Sequence, residues 1–288
     1  MQRVGIVGVG NMGGGMAANL VAQGWTVRVH DIDRAKVGAL ELLGAAPCSS
    51  AADAAKLVPV LIVCVVDADQ SRDVLFATGG AVETLASGSA VMLCPTIAPE
   101  DTQQIAAQLA LHGIATIDAP MSGGPARARD GSMSLMVACD EAVFEQHRDL
   151  IAALSHKVFR IGERVGDGAR TKLVNNLLAG INLVGAAEAM ALAQRMGLDL
   201  ETTLDVIGQS SGQSWIGADR MRRAIEGDYE PRAHMTLLAK DTRLAVDAAR
   251  AAGFEGPLGA KARDVFARAV DEGLAGLDDA ALLKLLSS

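Results

Sequence analysis

Residues 4–13 read VGIVGVGNMG, an apolar run that leads directly into a glycine-rich turn. The run predicts a buried strand, and the helix-like sequence MAANLV follows the glycines at residues 16–21. Glycines at these spacings allow a tight turn, close approach of a ligand to the backbone and close packing of the helix on the sheet. The helix N-terminus offers N–H groups and a positive dipole end to an anion. The segment therefore predicts a site for the pyrophosphate of a dinucleotide, formed by Gly8, Gly10, Asn11, Met12 and Gly13.

An acidic residue follows the second predicted strand. Residues 25–30 are rich in β-formers and lead to Asp31, at the distance from the glycines where an acid can accept hydrogen bonds from an adenosine ribose. The same carboxylate would repel a 2′-phosphate, so the sequence favours NAD over NADP. The nearby Arg34 could accommodate a 2′-phosphate, which keeps NADP as the less favoured alternative. A glycine-rich hairpin followed by a solvated Asp is a plainer interpretation of the same residues.

The composition excludes several classes of protein. The 288 residues carry a formal net charge of −8, which does not suit a protein whose main partner is nucleic acid. The four cysteines are widely spaced without a C-x-x-C pair, so we expect no disulfide framework, no metal site and a cytoplasmic location. We expect no membrane span, because the longest purely apolar run, near residues 57–66, contains Pro59 and is too short.

The order of the predicted elements indicates an α/β protein with two domains. Strand-like and helical segments alternate through the first half; the predicted strands include residues 26–30 and 134–138, and residues 144–153 are predicted as a helix. This alternation predicts a doubly wound Rossmann sheet in a dinucleotide-binding domain at residues 1–163. Residues 164–288 show no further strand pattern and are predicted to form an all-α domain. Residues 169–196 predict a long joining helix, apolar nearly all round and buried on most sides. Because such a helix often packs against a second subunit, we expect a homodimer or homotetramer.

A second glycine-containing segment reads DAPMSGG at residues 118–124. A serine followed by two glycines at a strand end exposes a hydroxyl and several N–H groups, which suits a carboxylate. The carboxyl edge of an open α/β sheet is also where ligands bind. An ordinary glycine turn would read the same, so the segment alone leaves both interpretations open.

A third segment places a lysine near a predicted helix start. If the helix begins near Gly168, Lys172 and Asn176 are four residues apart and share one face. The helix dipole and burial would both disfavour a charge on Lys172, which suits a general acid or base near neutrality. A surface lysine beside two capping asparagines explains the spacing equally well. Lys240 and Thr96 are two further candidates. A plain interpretation makes Lys240 a solvated surface charge and Thr96 the cap of the next turn.

These segments occur in the order found in the β-hydroxyacid dehydrogenases, a family that the chain resembles over essentially its whole length. Residues 8–20 resemble the cofactor motif G-x-G-x-M-G-x-x-M-A-x-N-L, and residues 118–124 resemble the substrate motif D-A-P-x-S-G-G. Residues 166–176 are similar to the catalytic motif G-x-G-x-x-x-K-x-x-N-N, and residues 240–245 to K-D-x-x-L-A. Four ordered motifs with matching spacing favour the functional interpretation of each segment over the plain one.

The resemblance implies an oxidoreductase that transfers a hydride between NAD(H) and a small anionic 3-hydroxy acid, or its semialdehyde or keto form. By the same resemblance, Lys172 is the general acid/base and Asn176 holds the reacting oxygen. The remaining residues that it implies are Ser122, Gly123, Gly124 and Lys240 for the substrate, and Val65, Val66, Thr96 and Lys240 for the cofactor.

The chain departs from the family pattern near the cofactor. Residues 65–67 read Val-Val-Asp where the family often has Leu-Pro, and residues 95–96 read Pro-Thr where it often has Ser-Thr. The substrate therefore stays open, with a slight lean toward the L-threonate dehydrogenase branch. A catalytically silent cofactor-binding protein and an imine reductase of the same architecture are the alternatives. The short-chain dehydrogenase mechanism is excluded, because the only tyrosine, Tyr229, is followed four residues later by Ala233 rather than lysine.

Overall fold

The computed structural model describes residues 2–287, and the chain divides into two compact units. The first unit ends at Lys172 and the second begins at Leu173. Within the described residues, every strand lies in the first unit, and the second is helical, which confirms the predicted fold class. The strands are β1 (Arg3–Val7), β2 (Thr26–His30), β3 (Ala46–Pro47), β4 (Val60–Val63), β5 (Ala90–Leu93), β6 (Ala115–Asp118), β7 (Met121–Ser122), β8 (Ser134–Ala138) and β9 (Lys157–Gly162).

The strands form one mostly parallel sheet. From β3 to β6 the spatial order is β3-β2-β1-β4-β5-β6, which is the order of a dinucleotide-binding sheet, and each neighbouring pair is parallel. β8 follows with antiparallel pairing to β6 and β7, and β9 pairs parallel to β8. All residues of β4 and β5 are buried, as expected for central strands that helices cover on both faces.

The core of the first unit lies on both faces of this sheet. Ile62 belongs to the hydrophobic cluster that contains Leu20, whereas its neighbour Leu61 belongs to the cluster that contains Ile105. The alternation follows from the two-residue period of a strand. The covering helices are α1 (Asn11–Ala22), α2 (Arg34–Glu41), α3 (Ala51–Ala55), α4 (Ala68–Phe76), α5 (Pro99–Ala110), α6 (Gly124–Asp130), α7 (Glu141–Gln146) and α8 (Arg148–Leu154).

The second unit packs its helices around Phe266, which is fully buried together with Met190 and Leu282. Its first helix, α9, is continuous over Asp167–Arg195, so it begins in the first unit and continues into the second. The other helices are α10 (Leu200–Gly208), α11 (Trp215–Ile225), α12 (Met235–Ala251), α13 (Pro257–Ala269) and α14 (Leu282–Ser287).

Helix α9 is more exposed than the sequence suggested. Val174 is 71% exposed, and Leu178 and Leu192 are each 58% exposed, so a single chain leaves part of this helix exposed, although the sequence predicts burial on most sides. Leu178, Gly185, Leu192 and Met196, which follows the helix, are spaced seven, seven and four residues apart, so they lie along one side of the helix. Helix α9 is also long enough, and with a mean hydropathy of 1.4 apolar enough, to cross a bilayer. Core helices of soluble proteins meet the same two criteria.

A cluster of buried ion pairs holds the C-terminal segment in the second unit. Arg223 Nη2 lies 3.0 Å from Asp278 Oδ1, and the Asp278 side chain is fully buried. Asp278 also accepts hydrogen bonds from the N–H groups of Arg232 and Ala233, just before α12. Burial alone would raise the pKa of Asp278, but the bonds from Arg223 and the backbone lower that pKa to about 2. This carboxylate therefore ties the C-terminal segment to α11 and to the start of α12.

Candidate active site

The glycine turn between β1 and α1 requires glycine at two positions for steric reasons. Gly8 has a φ of +86°, which disfavours other residues. A Cβ atom on Gly13 would lie 1.9 Å from the Gly8 carbonyl oxygen, so only glycine fits there. A Cβ atom on Gly10 would meet no described atom within 4 Å, so the fold itself does not require glycine at this position. The open space at Gly10 suits a ligand that comes close to the backbone.

The N-terminus of α1 suits an anion. The helix begins at Asn11, its N-cap is Gly10, and no side chain in the described residues caps it there. Residues 11–14 include no acidic residue, so no negative charge in the first turn competes for the helix dipole. Asn11 is exposed, whereas Met12 packs against the hydrophobic core. The turn therefore fits the phosphates of a dinucleotide, with Met12 contributing through packing.

The structure places Asp31 beside this turn. Its Oδ2 accepts a 2.7 Å hydrogen bond from the Val9 N–H, and its Oδ1 accepts a 2.8 Å bond from the Asp33 N–H. Arg34 donates through Nη1 to the Cys48 carbonyl oxygen at 3.3 Å, so its guanidinium is engaged away from Asp31. The carboxylate is half-buried and fixed in position, as a ribose-binding acid must be.

The carboxyl ends of β4 and β5 bring three more of the predicted cofactor residues, Val65, Val66 and Thr96, to the same edge of the sheet. A Cβ on Gly8 would lie 3.0 Å from the Val65 side chain, so Val65 lines the glycine turn, and Val66 is 47% exposed next to it. Thr96 follows β5, the neighbouring strand. Cys64 directly follows β4, and burial raises the pKa of its thiol to about 12, so this cysteine is not a reactive thiolate.

The predicted carboxylate site lies at the end of β7. Ser122 is the last residue of this strand and pairs with Ser134 of β8. Gly123 and Gly124 follow with φ values of +133° and +78°, which only glycine adopts readily. The turn leads into α6, so backbone N–H groups and the Ser122 hydroxyl lie close together in sequence at the sheet edge.

Asp118 is a residue to which the sequence interpretation gave no role. It ends β6, is 1% exposed, and its Oδ2 accepts hydrogen bonds from the N–H groups of Gly166 at 2.8 Å and Ala169 at 3.1 Å. Burial raises the pKa of Asp118 to about 6, although these backbone bonds partly offset the effect. Only a structure could reveal this role, because nothing in the local sequence connects residues 118 and 166.

Lys172 and Asn176 lie one turn apart on α9. They are 8% and 7% exposed, and the helix begins at Asp167, one residue before the predicted start at Gly168. Lys172 therefore lies near the N-terminal end of a helix and is also buried.

In the second unit, Asp241 contacts two of the predicted site residues, Asn176 and Lys240. Asn176 Nδ2 donates to Asp241 Oδ2 at 2.6 Å, and Lys240 Nζ lies 3.3 Å from Asp241 Oδ1. Asn175 Nδ2 donates to Asn176 Oδ1 at 2.9 Å. Because a carboxylate only accepts hydrogen bonds, Asp241 fixes the amide of Asn176 with its NH₂ group toward the carboxylate. The sequence identified Asp241 only as the neighbour of Lys240.

Among residues 2–287, no group of three or more His, Cys, Asp or Glu side chains is arranged to hold a metal ion. The candidate site residues of the first unit are the glycine turn, Asp31, the turn after β7 and Lys172, and those of the second unit are Asn176 and Lys240.

Two family models together match almost the whole chain. Residues 3–162 match the NAD binding domain of 6-phosphogluconate dehydrogenase. Residues 166–286 match a domain described as the NAD-binding domain of NADP-dependent 3-hydroxyisobutyrate dehydrogenase.

Individual proteins give the same result. The L-threonate dehydrogenase of Escherichia coli is 39% identical over 285 residues, covering 99% of this chain and 94% of the relative. The crystal structure of a 3-hydroxyisobutyrate dehydrogenase from Salmonella typhimurium is 37% identical, with a TM-score of 0.94 over 99% of this chain and 100% of that one. An imine reductase from Myxococcus stipitatus is 22% identical, with a TM-score of 0.69 over 99% of this chain and 100% of that one, and shares the fold alone.

Proposed function

Because this chain belongs to the β-hydroxyacid dehydrogenase family, we propose that Lys172 is the general acid/base of its reaction. The enzyme is an NAD-dependent oxidoreductase that acts on a small hydroxy acid or its carbonyl form. Gly8, Gly10, Gly13 and Asp31 would hold NAD, which would supply the hydride acceptor for oxidation and, as NADH, the hydride donor for reduction. Lys172 Nζ takes the hydroxyl proton during oxidation and gives it back to the oxygen during reduction.

One observation carries this proposal: Lys172 is 8% exposed and lies one turn before Asn176 on α9. A lysine that accepts a proton must be neutral, and burial in general disfavours a charge. Asn176, one turn further along, is oriented by Asp241 and can hold the same substrate oxygen. Ser122 and the N–H groups of Gly123 and Gly124 would bind the substrate carboxylate.

The Lys172→Ala variant tests the assignment. We expect a loss in turnover of about 10²- to 10⁴-fold, which is the usual contribution of a general acid/base, with NADH affinity retained. Added methylamine should restore part of the rate, because a small amine can carry the proton in place of the side chain. Lys261→Ala, at an exposed lysine of α13, is the control and should leave turnover unchanged. A Lys172→Ala enzyme with turnover near that of the wild type would exclude this role.

For the substrate, we propose a short polyhydroxy acid of the L-threonate type. The similarity to L-threonate dehydrogenase supports this choice, as does the sequence VVDADQ at residues 65–70. The test is a spectrophotometric screen of L-threonate, 3-hydroxyisobutyrate and L-serine, each with NAD and with NADP. We expect the highest kcat/KM for L-threonate with NAD, because Asp31 favours an unphosphorylated ribose. A higher kcat/KM for 3-hydroxyisobutyrate would contradict the substrate proposal, and a preference for NADP would contradict the role of Asp31.

We also propose that the enzyme is a homo-oligomer, a dimer or tetramer, assembled through α9. The exposed side of this helix borders a groove of about 680 Å³ lined by Glu188, Leu192, Arg195 and Leu286, among others. If two copies of α9 cross antiparallel near Leu192, Glu188 of each copy faces Arg195 of the other. This arrangement is complementary in charge and buries the apolar side chains that one chain leaves exposed.

Light scattering after size-exclusion chromatography tests the assembly. Glu188→Arg should weaken it by placing like charges opposite each other, and adding Arg195→Glu to the same chain should restore it. A monomeric wild-type protein would refute the oligomer, and an unchanged assembly in Glu188→Arg would refute the antiparallel arrangement.

We further infer a cytoplasmic location. All four cysteines are free thiols in the structure, which is the state that a reducing compartment maintains. Fractionation of cells that express the protein would contradict the inference if the enzyme were recovered in an extracytoplasmic fraction.

A further inference from the structure

The buried carboxylate of Asp118 lies where the chain starts the helix that carries Lys172. The first N–H groups of any helix have no partner within the helix, and a negative charge near them is favourable. Asp118 Oδ2 accepts two such bonds, from Gly166 and Ala169, although it lies 48 and 51 residues away in sequence. A carboxylate from the end of β6 thus caps α9 in place of a local N-cap side chain.

Gly168 makes room for this carboxylate, and Gly166 allows the turn that presents its N–H group to it. A Cβ atom on Gly168 would lie 2.9 Å from the carboxyl atoms of Asp118, which is closer than a side chain tolerates. Gly166 has a φ of +99°, a conformation that disfavours residues with a Cβ atom. In the G-x-G that begins the catalytic motif, the second glycine therefore leaves space for Asp118, and the first gives the backbone conformation from which its N–H reaches that carboxylate. The motifs at residues 118–124 and 166–176 are joined by these hydrogen bonds.

We propose that Asp118 is a positioning residue that sets the orientation of Lys172 by fixing the first turn of α9. Lys172 follows Gly168 by four residues, about one turn, so any rotation or shift of that first turn moves its amine. Ser122 follows Asp118 by four residues in the chain. The hydrogen bonds of Asp118 therefore also fix the start of α9 relative to the turn at residues 122–124, the proposed binding site of the substrate carboxylate. The inference rests on the proposed role of Lys172, because a misplaced acid/base is what would slow the reaction.

The expected effect is on turnover. A displacement of about 1 Å at a reacting group can cost about 10²-fold in rate. We therefore expect Asp118→Ala to lower kcat about 10- to 100-fold, with KM and NADH affinity changed much less. In Asp118→Asn, one amide oxygen can still accept both N–H groups, since both bonds in the wild type end on a single oxygen. This conservative variant should recover most of the lost kcat.

A double-mutant cycle separates positioning from general stability. The kcat of wild type, Asp118→Ala, Lys172→Ala and the double variant is measured with NAD and whichever acid of the substrate panel the wild type oxidises fastest. If Asp118 acts through Lys172, Asp118→Ala lowers the rate in the wild-type background and has little effect in the Lys172→Ala background. An equal loss in both backgrounds, or a wild-type kcat for Asp118→Ala, would overturn the inference.

Two further measurements complete the experiment. Asp199 is the N-cap of α10, and its Oδ1 accepts a 2.8 Å hydrogen bond from the Thr202 N–H. The Asp199→Ala variant removes this cap and is the matched control for loss of a helix cap. Its kcat should equal that of the wild type. If Asp118→Ala fails to fold by circular dichroism, Gly168→Ala, whose Cβ would lie 2.9 Å from the Asp118 carboxyl atoms and displace them, carries the same cycle. Full activity of Lys172→Ala would refute the proposed function itself, whereas loss of activity in Lys172→Ala with none in Asp118→Ala would refute only this inference.

Discussion

The Gly10→Ala variant tests the binding of the cofactor without a change in the stability of the fold. Gly10 has φ −65° and ψ −157°, which alanine tolerates, and its Cβ would meet no described atom within 4 Å. We therefore expect Gly10→Ala to fold with a melting temperature close to that of the wild type. The new methyl group would occupy the open space at the N-terminus of α1, where we propose that the pyrophosphate comes close to the backbone.

The size of the effect follows from the bonds that the methyl group displaces. A hydrogen bond to a charged group contributes about 1.5–3 kcal/mol. Losing one such bond from an N–H group to a phosphate weakens NADH binding roughly 10- to 100-fold. The assay is a fluorescence titration with NADH, combined with thermal unfolding of the same samples.

Two other glycine variants serve as controls for Gly10→Ala. A Cβ on Gly38, inside α2, also meets no described atom within 4 Å, so Gly38→Ala should stabilise the helix by about 1 kcal/mol and leave NADH affinity unchanged. Gly13→Ala should impair both folding and binding, because its Cβ would lie 1.9 Å from the Gly8 oxygen. Wild-type NADH affinity in Gly10→Ala would refute the reasoning, as would an equal loss of affinity in Gly38→Ala.

Two predictions concern the second unit. The pKa of Asp278 is lowered from 3.8 to about 2, so its ionised form adds about 2 kcal/mol of stability above pH 4, which is lost as the pH falls through 2. Urea unfolding should show Asp278→Asn to be less stable at pH 7 and closer to the wild type near pH 2, and a difference that does not vary with pH would count against this. Gly180→Ala should lose about 1–3 kcal/mol, because its Cβ would lie 2.5 Å from the Thr242 methyl group. Gly208→Ala, where the Cβ meets no described atom, is its control in thermal unfolding.

Much of the fold was predictable because its central strands are short apolar runs bounded by turn residues. The predicted strands at 26–30 and 134–138 have the same bounds in the structure. β3 was missed, because two residues carry no periodicity. Residues 144–153 were predicted as one helix but belong to α7 and α8, because His147 between them has φ −112° and ψ 14°, outside the helical region.

The site was predictable where its residues lie in contiguous motifs. The glycine turn, the turn after β7 and the spacing of Lys172 and Asn176 are local features, and the sequence carries them directly. The contacts of Asp118 and Asp241 are not local: one acts across 48 residues, the other across 65. An aspartate at a strand end or inside a helix has no sequence signal that specifies a distant partner, so these two roles required the structure. The same holds for the exposed side of α9, since apolar periodicity does not say which neighbour covers it.

The ends of the sheet have a consequence for aggregation. At one edge, β3 pairs with β2 through only two residues, and the second of them, Pro47, has no N–H group to offer to an incoming strand. At the other edge, β9 begins with Lys157 and contains Arg160, and charged residues of this kind oppose pairing between the edges of two sheets. The native sheet is therefore a poor template for strand addition. Concentrated, folded enzyme should resist fibril growth, and any aggregates should arise from unfolded chains.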